Sequence, residues 1–170
     1  MEESACIRAL EGPGDLAACV SLLRAAFGTV AQELGLTEES APTNAAFTTL
    51  ANLEAHVRDG LDLFGLYTGP GITGCVAVKR AKAGNGLWYI ERLAVAPGLR
   101  HRGYGSRLLS FALAEIARRG GSVASVGLID ANERLKVWYL SKGFAVRERR
   151  RILRLPFAVC TMSIAVGRTG

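Results

Sequence analysis

The sequence predicts a mixed α/β fold, classed as α/β (α+β), in a single domain spanning residues 1–170 with its core at about 5–165. The chain of 170 residues is 49% hydrophobic, enough for one buried core and short for two. Short runs typical of strands alternate with amphipathic helical stretches. Strands joined through a crossover helix are expected to be parallel, so 87–95 and 122–129 are predicted to run side by side.

The first elements are a short strand and an amphipathic helix. Cys6–Leu10 has the composition of a strand and is followed by the breaker Gly-Pro-Gly. Asp15–Phe27 then places its apolar residues at helical spacing. The next segment, residues 28–41, is polar and acidic and is predicted to connect this helix to a second one.

A second helix and a three-stranded meander complete the first half. Thr43 or Asn44 is expected to cap the helix, and Gly60 to end it. Strands are predicted at 62–68, 72–80 and 87–95, separated by Gly-Pro-Gly and Ala-Gly-Asn-Gly turns.

The second half alternates helices and strands. Its predicted elements are a helix at about 103–119, a strand at 122–129, a helix at 132–142 and two strands within 144–166. Gly120 and Gly121 are expected to end the first of these helices, and Gly143 the second. No repeat or linker divides the chain.

Charge is unevenly distributed along the chain. Residues 1–87 carry 6 Lys/Arg against 10 Asp/Glu, and residues 88–170 carry 15 against 5. An anionic partner is therefore expected to bind the second half. No stretch of eighteen uninterrupted apolar residues occurs and the N-terminus does not resemble a signal peptide, so a cytoplasmic protein without a membrane partner is expected.

Cysteine usage does not indicate a metal centre. The four cysteines are far apart in the sequence and form no CxxC pair; they are Cys6, Cys19, Cys75 and Cys160. Only His56 and His101 could assist them, so we expect no metal. Each cysteine is interpreted as a small core residue.

The stretch LAVAPGLRHRGYGSRLL, residues 93–109, combines the end of a strand, a Pro-Gly break, arginines and glycines before a helix. The first amides of a helix lack internal partners and carry partial positive charge, so phosphate is a natural ligand there. The alternative is an ordinary glycine-containing turn with solvated arginines. A dinucleotide fingerprint is excluded because Leu108 occupies its third glycine position, and no GK[ST] sequence follows.

Two motifs in this order resemble those of the Gcn5-related N-acetyltransferases, the GNAT family. Arg100–Gly105 has the form R/Q-x-x-G-x-G/A, and Asn132 followed by Trp138–Phe144 resembles the family's asparagine and its aromatic-Tyr-x-x-x-Gly-Phe signature. The resemblance implies a mixed, mostly antiparallel sheet of about six to seven strands with about four helices. It also implies that the parallel strands splay apart at the cofactor cleft.

The resemblance implies acetyl-CoA as cosubstrate. Backbone groups of Leu93, Ala94 and Val95 would pair with pantetheine as another strand would. The diphosphate would contact the segment Arg100, His101, Arg102, Gly103, Tyr104, Gly105 and Ser106, through its amides and the charges of Arg100 and Arg102. Asn132 would contact pantetheine or only cap its helix.

The resemblance also suggests catalytic residues. The N–H of Leu93 is the expected oxyanion donor, and Glu91, two residues earlier and therefore expected on the same face, is the candidate general base. The alternative for Glu91 is an ion pair with a nearby arginine, and Tyr89 could shape the substrate pocket or replace it. Tyr139 is the candidate acid for the departing thiolate or, alternatively, a core aromatic residue.

The resemblance implies that the acceptor is a primary amine of a small molecule, peptide or protein, and it does not specify the class of amine. By resemblance, Glu33, Glu38 and Glu39 would border it on one side, which suits a cation. The arginines of 147–154 would border it on the other, which favours an acid, although charges on an edge strand also prevent aggregation. Alternatives are a CoA-binding module without catalysis and, less favoured, a nucleic-acid binder. A homodimer is suggested by resemblance alone.

Overall fold

The computed structural model describes residues 4–167. A seven-stranded sheet runs through the molecule. Its strands are β1 (Cys6–Ala9), β2 (Asp62–Tyr67), β3 (Ile72–Arg80), β4 (Leu87–Val95), β5 (Val123–Ile129), β6 (Ala145–Arg151) and β7 (Ala158–Ala165). The α-helices are α1 (Pro13–Glu33), α2 (Leu50–Arg58), α3 (Tyr104–Arg118) and α4 (Glu133–Ser141). The predicted element order is confirmed.

Helix α1 is longer than predicted. It continues through Thr29 and Ala31, which the sequence placed in a polar connection, and its cap is Leu34 before Gly35 at φ +64°. Ala31 is buried, and the Arg100 side chain from a distant loop bonds to this part of the helix. These contacts involve residues that are remote in sequence, so a local pattern could not reveal them.

The predicted second helix is divided in two. Asn44 caps a single 3-10 turn, Ala45–Phe47, by accepting a hydrogen bond from the amide of Ala46. Thr49 then caps α2 by accepting from the amide of Asn52 at 3.2 Å. Two residues with strong capping preference therefore start two short elements where one long helix was expected.

The strand order is β1-β2-β3-β4-β5-β7-β6, and every neighbouring pair is antiparallel except β4 and β5. The parallel pairing of β4 and β5 is confirmed, and it is short. It joins Leu87 to Val123 and ends at Tyr89 and Ser125. Beyond that point the two strands separate, which confirms the predicted splay and the mixed, mostly antiparallel fold.

Each face of the sheet has its own apolar core. One face packs against α3 and α4, and the opposite face against α1 and α2. Cys19 and Cys75 are buried in the second core and Cys160 in the first, as predicted, whereas Cys6 on the edge strand β1 is exposed. The prediction for Cys6 was wrong because the residue lies on an edge strand, where its side chain is open to solvent.

Helix α1 is long and apolar enough, by length and composition, to cross a membrane. The core helices of soluble proteins pass the same test. Here α1 buries one face, including Leu16, Leu23 and Ala26, against the sheet. Packing against the sheet therefore accounts for the apolar residues on that face.

The arginine-rich segment forms the edge strand β6, all seven residues of which are exposed. Arg147 donates to the Ser163 hydroxyl and Arg149 forms an ion pair with Asp130 at 3.2 Å. Alternating charge on an unpaired edge discourages association with another strand. This location supports the interpretation of the run as edge protection.

Candidate active site

The glycine-containing turn leads into α3 with an uncapped first turn. Gly103 precedes the helix at φ +82° and has no side chain to cap it, and the amide of Arg107 makes the first helical bond, to the Gly103 carbonyl at 3.0 Å. The amides of Tyr104, Gly105 and Ser106 therefore lack intrahelical acceptors. Together with the helix dipole they form a site suited to an anion.

Arg100 is held away from that first turn. Its guanidinium donates to the Thr29 hydroxyl at 3.0 Å and to the Ala26 carbonyl at 2.7 Å, both on α1. The side chain therefore anchors the loop to α1, and the expectation that it adds charge at a phosphate does not fit this arrangement. Arg102 and His101, by contrast, are exposed, and His101 has φ +63°.

A β-bulge interrupts β4 next to the point where the strands separate. Cys75 pairs with Ala94 and Ala77 with Glu91, so β4 has one more residue than β3 between these pairs. The extra residue lies at Arg92, whose φ is +52°. Such a backbone conformation is uncommon in a residue with a side chain and is often found at functional sites.

The bulge reverses the alternation of side chains, so the predicted placement of Glu91 and Leu93 on the same face was wrong. Ile90 belongs to the core under α3 and α4, which directs Glu91 to the α1 and α2 face. After the bulge, Leu93 packs against the α3 and α4 core while Ala94 belongs to the other. Side-chain period two holds only without an inserted residue.

Glu91 forms the ion pair that the sequence left as an alternative. Its carboxylate accepts from Arg92 Nη1 at 2.8 Å, and Arg92 Nη2 lies 3.1 Å from His56 Nδ1 on α2. The Arg92 Nε is buried and has no partner among the described residues. Glu91 itself is partly exposed and lines a cavity of about 380 Å³ together with Tyr89 and Lys79.

Tyr139 lies in the core on the other face. It is buried and packs edge-on against Trp138 and Phe144, with ring centroids 5.0 and 5.1 Å apart. Burial raises the pKa of Tyr139 above its ordinary value near 10. The phenol is therefore protonated at neutral pH, and the core-aromatic interpretation holds alongside any role as an acid.

Helix α4 carries most of the second motif, Asn132 with Trp138–Phe144, and places it beside the first turn of α3. Asn132 caps α4, because its side-chain oxygen accepts from the amide of Leu135 at 3.2 Å. A Cβ atom added to Gly105 would lie 3.6 Å from the Trp138 ring. The two motifs, about thirty residues apart in the sequence, are therefore neighbours.

Comparison with known proteins identifies the family of the chain. The family model described as Acetyltransferase (GNAT) domain matches residues 59–146. The chain belongs to the GNAT acetyltransferase family. It is therefore an acyl-CoA-dependent acetyltransferase, and both the recognised family and the predicted enzyme class are confirmed. None of the curated proteins compared with this acetyltransferase matches it.

Solved structures share the fold of this acetyltransferase at low sequence identity. The PaiA N-acetyltransferase from Thermoplasma acidophilum, in complex with coenzyme A, has a TM-score of 0.77 at 17% identity over 95% of this chain and 99% of that chain. The ribosomal-protein-S18-alanine N-acetyltransferase from Escherichia coli has a TM-score of 0.75 at 18% identity, over 98% of this chain and 96% of that chain. The ribosomal-protein-alanine N-acetyltransferase from Brucella melitensis has a TM-score of 0.70 at 19% identity, over 94% of this chain and 99% of that chain.

Sequence reasoning missed two neighbours of Glu91. Arg92 is adjacent in the chain, where strand alternation places a side chain on the opposite face, and His56 comes from a helix more than thirty residues away. No local signal indicates a bulge. Within residues 4–167, no group of three or more His, Cys, Asp or Glu side chains is placed to hold a metal ion.

Gly103 and Gly105 of the acetyltransferase offer a matched test of the turn. Gly103→Ala is expected to lower the free energy of unfolding by about 1–2 kcal/mol, because its φ is +82°. Gly105→Ala is expected to be neutral or stabilising by up to about 1 kcal/mol, since the added methyl makes only ordinary contacts. Urea unfolding of both variants measures this; equal losses would contradict it.

Proposed function

We propose that the chain transfers the acetyl group of acetyl-CoA directly to a primary amine of a small molecule or a protein. The observation that carries the proposal is the uncapped first turn of α3 beside the gap where β4 and β5 separate. Two of the similar structures are ribosomal-protein-alanine N-acetyltransferases, which supports the inclusion of protein amines.

The free amides of Tyr104, Gly105 and Ser106 would bind the diphosphate of acetyl-CoA, and the exposed Arg102 would add charge. Arg100 would act indirectly, by fixing the loop to α1. In the gap, β5 no longer pairs with β4, so backbone groups of Leu93–Val95 are available to pantetheine. The coenzyme A bound to the similar Thermoplasma structure supports this ligand.

The chemistry requires a neutral amine, oxyanion stabilisation and a proton for the leaving thiolate. The amine nitrogen bonds to the thioester carbon while the Leu93 N–H stabilises the oxyanion. The nitrogen then loses a proton to the Glu91 carboxylate, directly or through water, and the C–S bond breaks. Tyr139 supplies a proton to the thiolate and regains one from solvent.

Release of coenzyme A thiol with a panel of primary amines tests the proposal. We expect amine-dependent release accompanied by an acetylated product detected by mass spectrometry. Acetyl-CoA binding without amine-dependent release would instead favour a binding module without catalysis. Salt-sensitive binding of nucleic acid without acetyl-CoA binding would contradict the proposal altogether.

Tyr139 gives a pH-dependent test. Its folded pKa is raised, so above pH 10 the unfolded chain loses the phenol proton while the folded chain retains it. The free energy of unfolding is therefore expected to fall as pH rises above 10, and Tyr139→Phe should remove that part of the slope. Urea unfolding between pH 8 and 11 measures it; an unchanged slope in the variant would contradict this assignment.

The same substitution tests the role of Tyr139 as the acid. We expect kcat to fall by about 10²-fold at neutral pH, since positioned proton donors typically contribute 10²–10⁴-fold. Trp138 packs against Tyr139, so Trp138→Phe serves as a control for packing. Equal kcat values for the two variants would show that Tyr139 does not act as the acid.

Cytoplasmic location, dimerisation and a single-domain organisation stay predictions.

A further inference from the structure

A cavity of about 240 Å³ lies between the end of α1 and the end of β5. Pockets for drug-sized ligands measure roughly 300–1,000 Å³, so this one has room for part of a molecule. Three separate segments of the chain supply its apolar lining, namely Leu34, Leu36, Ile129, Ala131, Pro156 and Phe157. The cavity is therefore formed by tertiary packing.

The cavity offers no ionic partner among the described residues that line it. Ser40 is the polar side chain there, and its hydroxyl is already engaged with Thr37, whose amide donates to it at 3.0 Å. The glutamates of residues 33–39 and the arginines of 147–154 lie outside the lining. Neither of the opposing charge sets therefore decides what this cavity accepts.

The cavity is level with the bulge of β4. Leu87 pairs with Val123, and Leu93 and Ile129 each lie six residues beyond these partners, with the residue inserted at Arg92 shifting β4 by one position. Leu93 and Ile129 therefore stand at about the same height on opposite sides of the gap. Because α1 packs on β3 and β4, a cavity between the end of α1 and Ile129 lies on the β5 side of the gap, on the α1 and α2 face toward which Glu91 points.

We infer that this cavity receives an uncharged apolar group, aliphatic or aromatic, attached to the acceptor amine. The inference rests on the proposed function and names the substrate class for that site. With the apolar group between Phe157 and Leu36, the amine extends toward the gap, where Glu91 and the Leu93 N–H are placed. A second charge on the acceptor would be buried without a partner, which is strongly unfavourable.

A homologous series of amines tests the inference. We expect kcat/KM to rise about fourfold for each methylene between ethylamine and pentylamine, equivalent to about 0.8 kcal/mol per buried methylene. The diamine of equal length, 1,5-diaminopentane, should be at least tenfold poorer than pentylamine. A flat series, or a preference for the diamine, would overturn the inference.

Two variants connect that selectivity to the cavity. Phe157→Ala removes an aromatic ring from the cavity lining. It is expected to reduce the rise in kcat/KM for each added methylene, with the affinity for acetyl-CoA unchanged. Leu153→Ala is the matched control, because Leu153 lies in the same loop, outside the lining and fully exposed at 102%. If the rise in kcat/KM per methylene is reduced equally in both variants, or in neither, the apolar group does not bind in this cavity.

The outcomes also separate this inference from the proposed function. If amines are acetylated without any dependence on apolar length, the proposed function stands and the apolar cavity fails as the acceptor site. If acetyl-CoA binds and neither this series nor the wider panel of primary amines is acetylated, the proposed function fails and the inference fails with it; if the panel is acetylated and the series is not, only the inference fails. N-acetylpentylamine binding, measured by calorimetry, should weaken in Phe157→Ala and not in Leu153→Ala.

Discussion

Replacing Glu91 by glutamine is expected to lower kcat by about 10²–10⁴-fold, the usual contribution of a positioned general base. The amide has the same shape and cannot take the proton from the attacking amine. Its oxygen can still accept from Arg92 Nη1, which bonds to the carboxylate at 2.8 Å, so the bulge should be preserved. Acetyl-CoA affinity should therefore be unchanged, as measured by calorimetry.

Glu115 supplies the matched control for Glu91. It is likewise bonded to arginines, Arg118 and Arg119, and it lies on α3 away from the gap. These guanidinium groups lower the pKa of Glu115, so Glu115→Gln should affect stability and leave kcat unaltered. If Glu91→Gln retains full kcat, Glu91 is only the ion-pair partner of Arg92.

Ser106→Asp is expected to weaken acetyl-CoA binding by roughly 10²-fold or more. Ser106 lies in the first turn of α3, where its amide has no intrahelical partner. A carboxylate there would compete with the diphosphate for the free amides and repel it. Two unit charges 4 Å apart interact by about 4 kcal/mol at an effective dielectric constant of 20. Fluorescence or calorimetric titration measures the loss.

The same substitution should stabilise the fold. A negative charge in the first turn of a helix contributes about 0.3–1 kcal/mol, so the free energy of unfolding should rise while affinity falls. Ser106→Ala, which removes only the hydroxyl, should change affinity little. S-acetylpantetheine lacks the diphosphate, so its KM should be insensitive to Ser106→Asp. An equal loss with both thioesters would place the diphosphate elsewhere.

The sequence predicted the fold where local chemistry decides it. Strand β4 and helix α3 were placed to within a residue, because alternating apolar residues, the Pro-Gly break and Gly103 are local signals. The parallel pairing with β5 followed from the crossover rule. The same signals identified the free amides of α3, since any helix start without a capping side chain has them.

The sequence did not predict the features that depend on contacts between residues far apart in the chain. The last turns of α1 were not predicted; there Ala31 is buried, and Arg100 bonds to Ala26 and Thr29 across more than seventy residues. Glu91 and Leu93 lie on opposite faces because of one inserted residue at Arg92, which strand alternation gives no means of detecting. The charge pattern near the acceptor side left cationic and acidic acceptors equally open.

By itself the sequence predicted the family, the order of elements and the free amides at the start of α3, because each depends on residues close together along the chain. Only the tertiary structure decided that Arg100 is an anchor, that Arg92 bonds to the candidate base, and that an apolar cavity lies between the end of α1 and the end of β5. The physical reason is that these features depend on register and packing between distant segments, and local propensity carries no information about either.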